Sequence, residues 1–239
     1  MRGTLRVVLF NWPKYALCAL VVPTGLLVPL PGPWRFLLQG MVVAGLCWVI
    51  MGLLVTWIAY DVSPLYDWRW VLALLPAKPR RYAVVSTGLD EISGRLADLL
   101  PDAEATLLDL YGSTGRDGSI RRARRFVPPP DGTLRAVPAD LLVPDATMDA
   151  IFVVFAAHEL RDPGQRRALY GEIARTLRPG GRLVLVEHCR DAANIVAYGP
   201  GAWHFSPRSE WLRLARGAHL TMAGERLMTP LIHALACVR

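Results

Sequence analysis

Charge is almost absent from the first quarter of this sequence, and cysteine is scarce throughout. From Tyr15 to Tyr60 the only charged residue is Arg35. Four scattered cysteines in 239 residues exclude a disulfide-stabilised scaffold. Charged residues make up 20% of the chain and hydrophobic residues 53%, whereas a soluble domain typically has about 25% and about 45–50%. The hydrophobic content excludes a disordered chain, and the composition as a whole favours a membrane-associated protein.

Two apolar runs, separated by a Pro/Gly-rich break at 31–35, predict a transmembrane helical hairpin in residues 1–60. The second run, Phe36 to Ala59, has no charge and exceeds the roughly 20 residues needed to cross the hydrocarbon core. The first run, Tyr15 to Leu30, contains Pro23 and reaches spanning length only if residues 7–12 extend it or the bilayer thins. A re-entrant helix and a signal peptide are the alternatives for this run.

Basic residues flank the predicted hairpin on both sides, and a single arginine lies in its turn. The flanking residues are Arg2, Arg6, Lys14, Arg69, Lys78, Arg80 and Arg81. The positive-inside rule then places both ends of the hairpin in the cytoplasm, with the hairpin in the inner (cytoplasmic) membrane. The net charge of +7 therefore indicates orientation, and we expect no nucleic-acid partner. Residues 61–80 mix aromatic and charged side chains, which predicts an interfacial linker under the lipid headgroups.

Predicted strands and helices alternate from residue 81 to residue 239, which is long enough for one globular domain. Apolar runs at 82–86, 105–108, 134–137, 148–155 and 182–187 predict five strands, and two more are expected at 220–226 and 231–238. This pattern predicts an α/β fold, a doubly wound and mostly parallel seven-stranded sheet. The arginine-rich segment 119–126 is predicted to be a solvated helix, or to bind anionic headgroups. Ligands of such sheets bind beyond the carboxyl ends of the strands.

Several motifs in residues 81–239 resemble class I S-adenosylmethionine-dependent methyltransferases. They are P-A-D-L-L-V-P-D at 138–145, M-D-A at 148–150 and L-R-P-G-G-R-L at 177–183. The resemblance implies a Rossmann-like methyltransferase fold and S-adenosylmethionine as cofactor. It also implies that Asp109 accepts hydrogen bonds from the ribose hydroxyls and that Asp140 contacts the adenine amine. A carboxylate suits a vicinal diol because both hydroxyls can donate to it.

The glycine-rich loop of this family is only partly present. After the first strand the family has an acidic residue followed by G-x-G-x-G, whereas this chain has S-T-G-L-D-E-I at 86–92. Only Gly88 matches, and it remains a predicted cofactor contact. Asp90 and Glu91 follow it, and two roles are open to them: contact with the cofactor's ammonium group, or capping of the next helix.

Three histidines follow predicted strand ends: His158, His188 and His204. Methyl transfer to a phenol, enol or hydroxyl needs a base, and histidine titrates near neutral pH. We predict that His158 or His188 is the base, that Glu159 or Asp191 orients the imidazole, and that His204 lines the acceptor pocket. A His/carboxylate metal site is the alternative, but no H-x-x-x-H or C-x-x-C spacing supports it, so no metal is expected.

These features predict a membrane-anchored methyltransferase for a lipid-soluble small-molecule acceptor, such as a quinone precursor, an isoprenoid or a lipid. Anchoring would place the pocket where an apolar acceptor resides. A non-catalytic, methyltransferase-like scaffold subunit of a membrane complex is the alternative, and the incomplete glycine loop favours it. A nicotinamide-dependent reductase is less favoured, because its fingerprint needs the same missing glycines.

Overall fold

The computed structural model describes residues 3–114 and 118–239, with helices first and one sheet after them. Helices α1 (Gly3–Phe10), α2 (Trp12–Leu27) and α3 (Pro33–Trp57) form the N-terminal part. A π-helical turn, Ile58–Val62, continues α3 without a break in the chain direction. A 3-10 turn, Leu65–Asp67, and the short helix α4, Arg69–Leu72, then lead to the first strand.

The two apolar segments of the N-terminal part differ in shape. The helix beginning at Pro33 is, within the described residues, long and apolar enough to cross a membrane, and 6% of its most apolar window is buried. The axes of helices α1 and α2 differ by 73° at the break between them. The two helices are long and apolar enough to form a second membrane span only if they are taken together as one broken helix. The residues before Trp12 therefore do not extend the first apolar run in a straight line.

Seven strands form one sheet in the order β3-β2-β1-β4-β5-β7-β6. The strands are β1 Arg81–Ser86, β2 Glu104–Asp109, β3 Leu134–Arg135, β4 Met148–Val154, β5 Leu177–His188, β6 Thr221–Thr229 and β7 Ile232–Val238. Strands β1 to β5 pair in parallel, and β7 is antiparallel to both β5 and β6. The predicted doubly wound, mostly parallel fold is confirmed, and the final hairpin makes the sheet mixed.

Helices cover both faces of the sheet. They are α5 Ser93–Leu99, α6 Gly118–Phe126, α7 Pro163–Thr176, α8 Ala192–Tyr198 and α9 Arg208–Gly217. Helix α7 begins where Pro163 occupies the first helical position and the Asp162 side chain accepts hydrogen bonds from Gly164 N and Gln165 N. Helices α7 and α9 bury Ile173 and Trp211 against one face of the sheet.

The segment 61–80, predicted as an interfacial linker, packs into the core on the opposite face. Leu65, Trp68 and Val71 are at most 1% exposed and belong to the cluster that contains Tyr82 and Phe152 of the sheet. Large aromatic side chains are stabilised by burying apolar surface. They can bury it against the sheet as well as among lipid headgroups. The buried part of this segment, from Leu65 to Leu74, therefore packs against the sheet.

The N-terminal helices lie over the carboxyl edge of the sheet. The Trp48 indole N–H donates to the Val196 carbonyl at 3.0 Å, and Gly199 packs directly against the same ring. The Asp61 carboxylate accepts hydrogen bonds from the backbone N–H groups of Gly3 and Thr4, each at 2.8 Å. These contacts close the space above the strand ends, where ligands of this sheet type bind.

Candidate active site

A cavity of about 1060 Å³ lies between the N-terminal helices and the carboxyl ends of β1, β4 and β5. Its volume is at the upper end of the roughly 300–1,000 Å³ typical of small-molecule sites. The sheet side contributes Thr87, Glu91, Phe155, His158, Glu159 and His188, and the helical side contributes Tyr15, Trp48, Val49, Leu53, Thr56 and Tyr60. The sequence predicted the sheet side of this cavity but not the share of the N-terminal helices.

His158 lies in the turn after β4 and is held between two buried carboxylates. Its Nδ1 is 2.7 Å from Glu187 Oε2 and its Nε2 is 3.2 Å from Glu159 Oε1. Its backbone N–H also donates to Glu187 Oε1, at 3.2 Å. Burial opposes the charged imidazole, but the two carboxylates outweigh it and raise the pKa of His158 to about 10. His158 is therefore protonated at neutral pH in this arrangement and is a poor base.

His204 joins this cluster from the loop after α8. Its Nε2 is 3.3 Å from Glu159 Oε1, so one carboxylate faces two imidazoles. Burial opposes the charge of Glu159, but hydrogen bonds from both histidines hold the pKa of that carboxyl far below its usual range. On the solvent side, the exposed Arg161 guanidinium contacts both ring nitrogens of His204. The structure thus brings His158, Glu159 and His204 together in one wall of the cavity.

His188, at the end of β5, has a different environment. Its ring is stacked between Phe155 and Phe205, with centroid distances of 5.3 and 5.0 Å. Its Nδ1 lies 3.1 Å from the Leu231 carbonyl and 3.2 Å from Asn194 Oδ1, two acceptors that place the ring proton on Nδ1. Burial and the charge on His158 lower the pKa of His188 to about 4, so the ring is neutral at neutral pH. Its Nε2 is then free to accept a proton.

Tyr60 is the partner of that nitrogen, and sequence reasoning missed it. Its hydroxyl lies 2.8 Å from His188 Nε2 and therefore donates to it. Tyr60 lies in the π-helical turn that follows α3 and lines the cavity. The available signal was a tyrosine directly after a long apolar run, which is also typical of an ordinary interfacial aromatic residue.

Asp191 does not contact a site histidine directly. It is the N-cap of α8, where its side chain accepts a hydrogen bond from Asn194 N at 2.9 Å. It also accepts from the Asn194 side-chain amide and lies 2.9 Å from His233 Nε2. Its connection to His188 runs through Asn194, whose orientation it fixes.

The two residues predicted to bind the core of the cofactor lie beside helix α6. Gly88 has φ +105°, and a Cβ there would meet Tyr111 at 2.6 Å and Ile120 at 2.9 Å, so only glycine fits. Asp109 is buried at the end of β2, where it accepts a hydrogen bond from Tyr111 N at 3.0 Å and forms an ion pair with Arg124. The arginine-rich segment was predicted to be solvated, but its Arg124 guanidinium points to the sheet and pairs with Asp109.

None of the four predicted cofactor residues, Gly88, Asp90, Asp109 and Asp140, belongs to the described lining of the cavity. Asp90 Oδ1 accepts hydrogen bonds from Ile92 N at 3.0 Å and Ser93 N at 2.9 Å, which corresponds to the capping role. Asp140 is exposed and accepts from Leu142 N at 2.9 Å in a local turn. Glu91 is the acidic residue of this loop that lines the cavity, where it accepts from the Tyr66 hydroxyl at 2.6 Å and burial raises its pKa.

Comparisons with known proteins agree with this architecture. Residues 92–185 match the family model described as a methyltransferase domain. A SAM-dependent methyltransferase from Aquifex aeolicus aligns with a TM-score of 0.53 and 16% identity, over 74% of this chain and 93% of that one. A SAM-dependent methyltransferase from Methanosarcina mazei aligns with a TM-score of 0.51 and 16% identity, over 72% of this chain and 97% of that one. These structures show the fold.

One curated protein is similar in sequence. A demethylmenaquinone methyltransferase from Thermus thermophilus is 31% identical over 128 residues, which are 51% of this chain and 54% of that protein. The match therefore spans about half the length of that relative. The family model and this relative both support the resemblance stated from the motifs.

Proposed function

We propose that this chain, which carries a class I S-adenosylmethionine-dependent methyltransferase domain, methylates a lipid-soluble small molecule. The observation that carries the proposal is the shared cavity: polar groups from the strand ends form one wall, and the apolar N-terminal helices form the other. An acceptor with a polar head and an apolar tail would match both walls. The relative from Thermus thermophilus, a demethylmenaquinone methyltransferase by name, supports a quinone precursor as the acceptor class.

Anchoring of the N-terminal helices in the inner membrane is part of the proposal. The apolar surface of α3 is uncovered over most of its length. Trp12, Trp34 and Trp57 lie at helix ends and are 46–64% exposed, the arrangement that suits tryptophan at the headgroup level. The basic residues on both flanks then favour a cytoplasmic position for the catalytic domain.

The residues present fit S-adenosylmethionine, provided that Arg124 moves away from Asp109 and that Tyr111 and Ile120 move away from Gly88. Asp109 has a buried carboxylate at the end of β2 that would accept from the ribose hydroxyls, and Glu91 lines the cavity and would face the ammonium group. Gly88 has no Cβ and would let the cofactor approach the backbone once Tyr111 and Ile120 have moved. When bound, the cofactor would supply an electrophilic methyl group. Because Arg124 is ion-paired with Asp109, the ribose must displace the guanidinium.

Tyr60 and His188 form the proposed path for the acceptor's proton. The Tyr60 hydroxyl lines the cavity and donates to the neutral His188 Nε2 at 2.8 Å. As the acceptor is methylated, its proton passes to Tyr60 Oη while Tyr60 passes its own proton to His188. Between the two predicted bases we therefore choose His188, since His158 is already held as a cation.

Cofactor binding and methyl transfer by the full chain in lipid nanodiscs test this function. We expect saturable binding of S-adenosylmethionine by calorimetry, and transfer of a radiolabelled methyl group to a lipid-soluble product. Asp109→Asn should weaken binding by at least about tenfold, because the ribose loses a charged acceptor. Asp131→Asn, in an exposed loop, is the matched control and should bind normally. No binding at millimolar cofactor would reject the proposal.

A non-catalytic scaffold is the second candidate function, because α6 covers the cofactor position. Tyr111 and Ile120 fill the space beside Gly88, and Arg124 holds the carboxylate that the ribose needs. Absence of cofactor binding both in the wild type and in an Arg124→Ala variant would favour this alternative.

A further inference from the structure

The cavity wall carries a second set of groups that the proton path does not use. His158 Nε2, Glu159 Oε1 and His204 Nε2 face one another, and all three atoms lie within 4.8 Å. The two shorter separations are 3.2 and 3.3 Å. Ligand atoms bound at about 2.0–2.1 Å to a tetrahedral ion are about 3.3–3.4 Å apart, so the two pairs that share Glu159 Oε1 have the spacing of ligands around one ion. We propose that His158, Glu159 and His204 bind a divalent transition metal ion, with zinc as the best match.

The surroundings of His158 support this assignment. A histidine that binds a metal usually donates its other ring N–H to a carboxylate, which fixes the ring and raises its basicity. Glu187 supplies that contact: its Oε2 is 2.7 Å from His158 Nδ1, and its Oε1 accepts from the His158 backbone N–H. The Nε2 atom of His158 is thereby directed at Glu159.

Charge balance points the same way. Glu159 and Glu187 are 5% and 1% exposed, and His158 lies between them as their shared partner. A divalent ion bound by a neutral His158 would compensate both carboxylates, and buried charges are retained in proteins when they are paired or bind a metal. Two imidazoles and one carboxylate form a ligand set that suits zinc and related divalent ions.

Arg161 competes with the ion in the present arrangement. Its guanidinium contacts His204 Nε2 at 2.9 Å, and the side chain is exposed. Metal binding therefore requires this guanidinium to turn outward into solvent. No spacing in the sequence indicates this site, because His204 follows Glu159 by 45 positions and is brought next to it by the fold.

The metal site is inferred from the positions of the three side chains, whereas the role of the bound ion depends on the proposed function. Three protein ligands leave a fourth position open, and all three residues line the cavity. An acceptor oxygen bound there would be polarised and would lose its proton more easily. The ion would then hold the acceptor's polar head, and Tyr60 would take the proton.

Zinc titration of the full, tag-free chain, freed of metal by a chelator and without cofactor or acceptor, tests the site. We expect one zinc ion per chain by calorimetry and by elemental analysis. Glu187→Gln should weaken binding about 10–100-fold, and His204→Ala by more than that. Arg161→Ala should tighten binding several-fold, because a competing cation is removed. His233→Ala, a histidine outside the cavity lining, is the matched control and should bind as the wild type does.

Two results would overturn the site: no zinc bound by the wild type, or equal binding by the wild type and His204→Ala. The opposite effects expected for His204→Ala and Arg161→Ala exclude a simple loss of folding as the explanation. Zinc binding without any methyl transfer would keep the site and reject the proposed function. Methyl transfer that is unaffected in a zinc-free chain with no measurable zinc affinity would keep the function and reject the site.

Discussion

Tyr60 and His188 are 128 positions apart in the chain, yet one hydrogen bond joins the N-terminal helices to the end of β5. The bond has a defined direction, because the two acceptors at Nδ1 leave Nε2 without a proton. Stacking between Phe155 and Phe205 holds the imidazole in place. At the scale of single residues, the proposed proton transfer therefore depends on a tyrosine from the turn that follows the N-terminal helices.

Replacing Tyr60 by phenylalanine tests this dependence. The ring and its packing are kept, but the hydroxyl that relays the proton is lost, so we expect turnover to fall about 10²-fold or more. Cofactor affinity by calorimetry should stay unchanged, since the substitution keeps the ring and removes only the hydroxyl that contacts His188. Tyr15→Phe, in the same cavity, serves as the control. Wild-type turnover by the Tyr60→Phe variant would contradict the relay.

His188 also predicts a pH dependence of stability. Its imidazole takes up a proton at about pH 6.5 in the unfolded chain and at about 4 in the folded one. Between these values the unfolded chain binds more protons, so the free energy of unfolding falls as the pH falls from about 6.5 to 4, by on the order of 3 kcal/mol. Thermal unfolding across this range should show the loss in the wild type.

The matched comparison is His188→Gln against His219→Gln. The first variant removes the buried imidazole, so its stability should vary less with pH over this window. The second removes an exposed histidine and should keep the wild-type slope. Equal slopes for the wild type and His188→Gln would show that the ring titrates normally in the folded chain.

Helix α6 determines, at the scale of elements, whether the cofactor position is open. It contacts the N-terminal part as well as the sheet: Phe126 stacks with Phe10 at 6.3 Å, and Arg122 donates to the Phe10 carbonyl. Its Arg124 reaches the other way, to Asp109 at the end of β2. The helix thus connects the apolar segment to the carboxylate that the ribose would use.

Removal of the Arg124 guanidinium should tighten cofactor binding. In Arg124→Ala the Asp109 carboxylate has no competing cation, so we expect the Kd for S-adenosylmethionine to fall by about tenfold, which corresponds to about 1.4 kcal/mol. Arg121→Ala, on the same helix, is the control for lost positive charge. Weaker binding by Arg124→Ala would show instead that the guanidinium helps to hold the cofactor.

The proposed orientation of the whole molecule in the membrane rests on the predicted hairpin and its basic flanks. If both ends lie in the cytoplasm, the turn between α2 and α3 faces the opposite side. A cysteine at Trp34, introduced in a chain whose native cysteines are replaced, should react with an impermeant maleimide in intact cells. A cysteine at Asp102, an exposed position of the domain, should react only after lysis. The reverse pattern would contradict the proposed topology.

Much of the sheet was predictable because its strands are local patterns. The apolar run before Asp109 identifies the end of β2, and the L-R-P-G-G-R-L segment identifies the beginning of β5, each from a few neighbouring residues. The cluster of His158, Glu159 and His204 followed in part, since strand ends of a parallel sheet meet at one edge. Such patterns report the class of each element and the edge at which it ends.

The remaining features depend on packing between distant elements. The ion pair of Arg124 with Asp109 depends on how α6 docks, and an arginine-rich helix looks solvated by composition alone. The burial of Trp68 likewise depends on a complementary surface of the sheet. Tyr60 contacts His188 because α3 lies across the carboxyl edge of the sheet. No local pattern in the sequence predicts this position of α3.

The shared wall of the cavity has a consequence for the engineering and the evolution of this chain. Trp48, Thr56 and Tyr60 belong to the hairpin or its final turn, and they form part of the wall around the polar groups of the sheet. The hairpin is then not an interchangeable module. If the hairpin anchors the chain as proposed, a chimera with a foreign apolar hairpin would keep the anchor and lose part of the cavity wall, so the anchor and the cavity would have to be inherited and redesigned together.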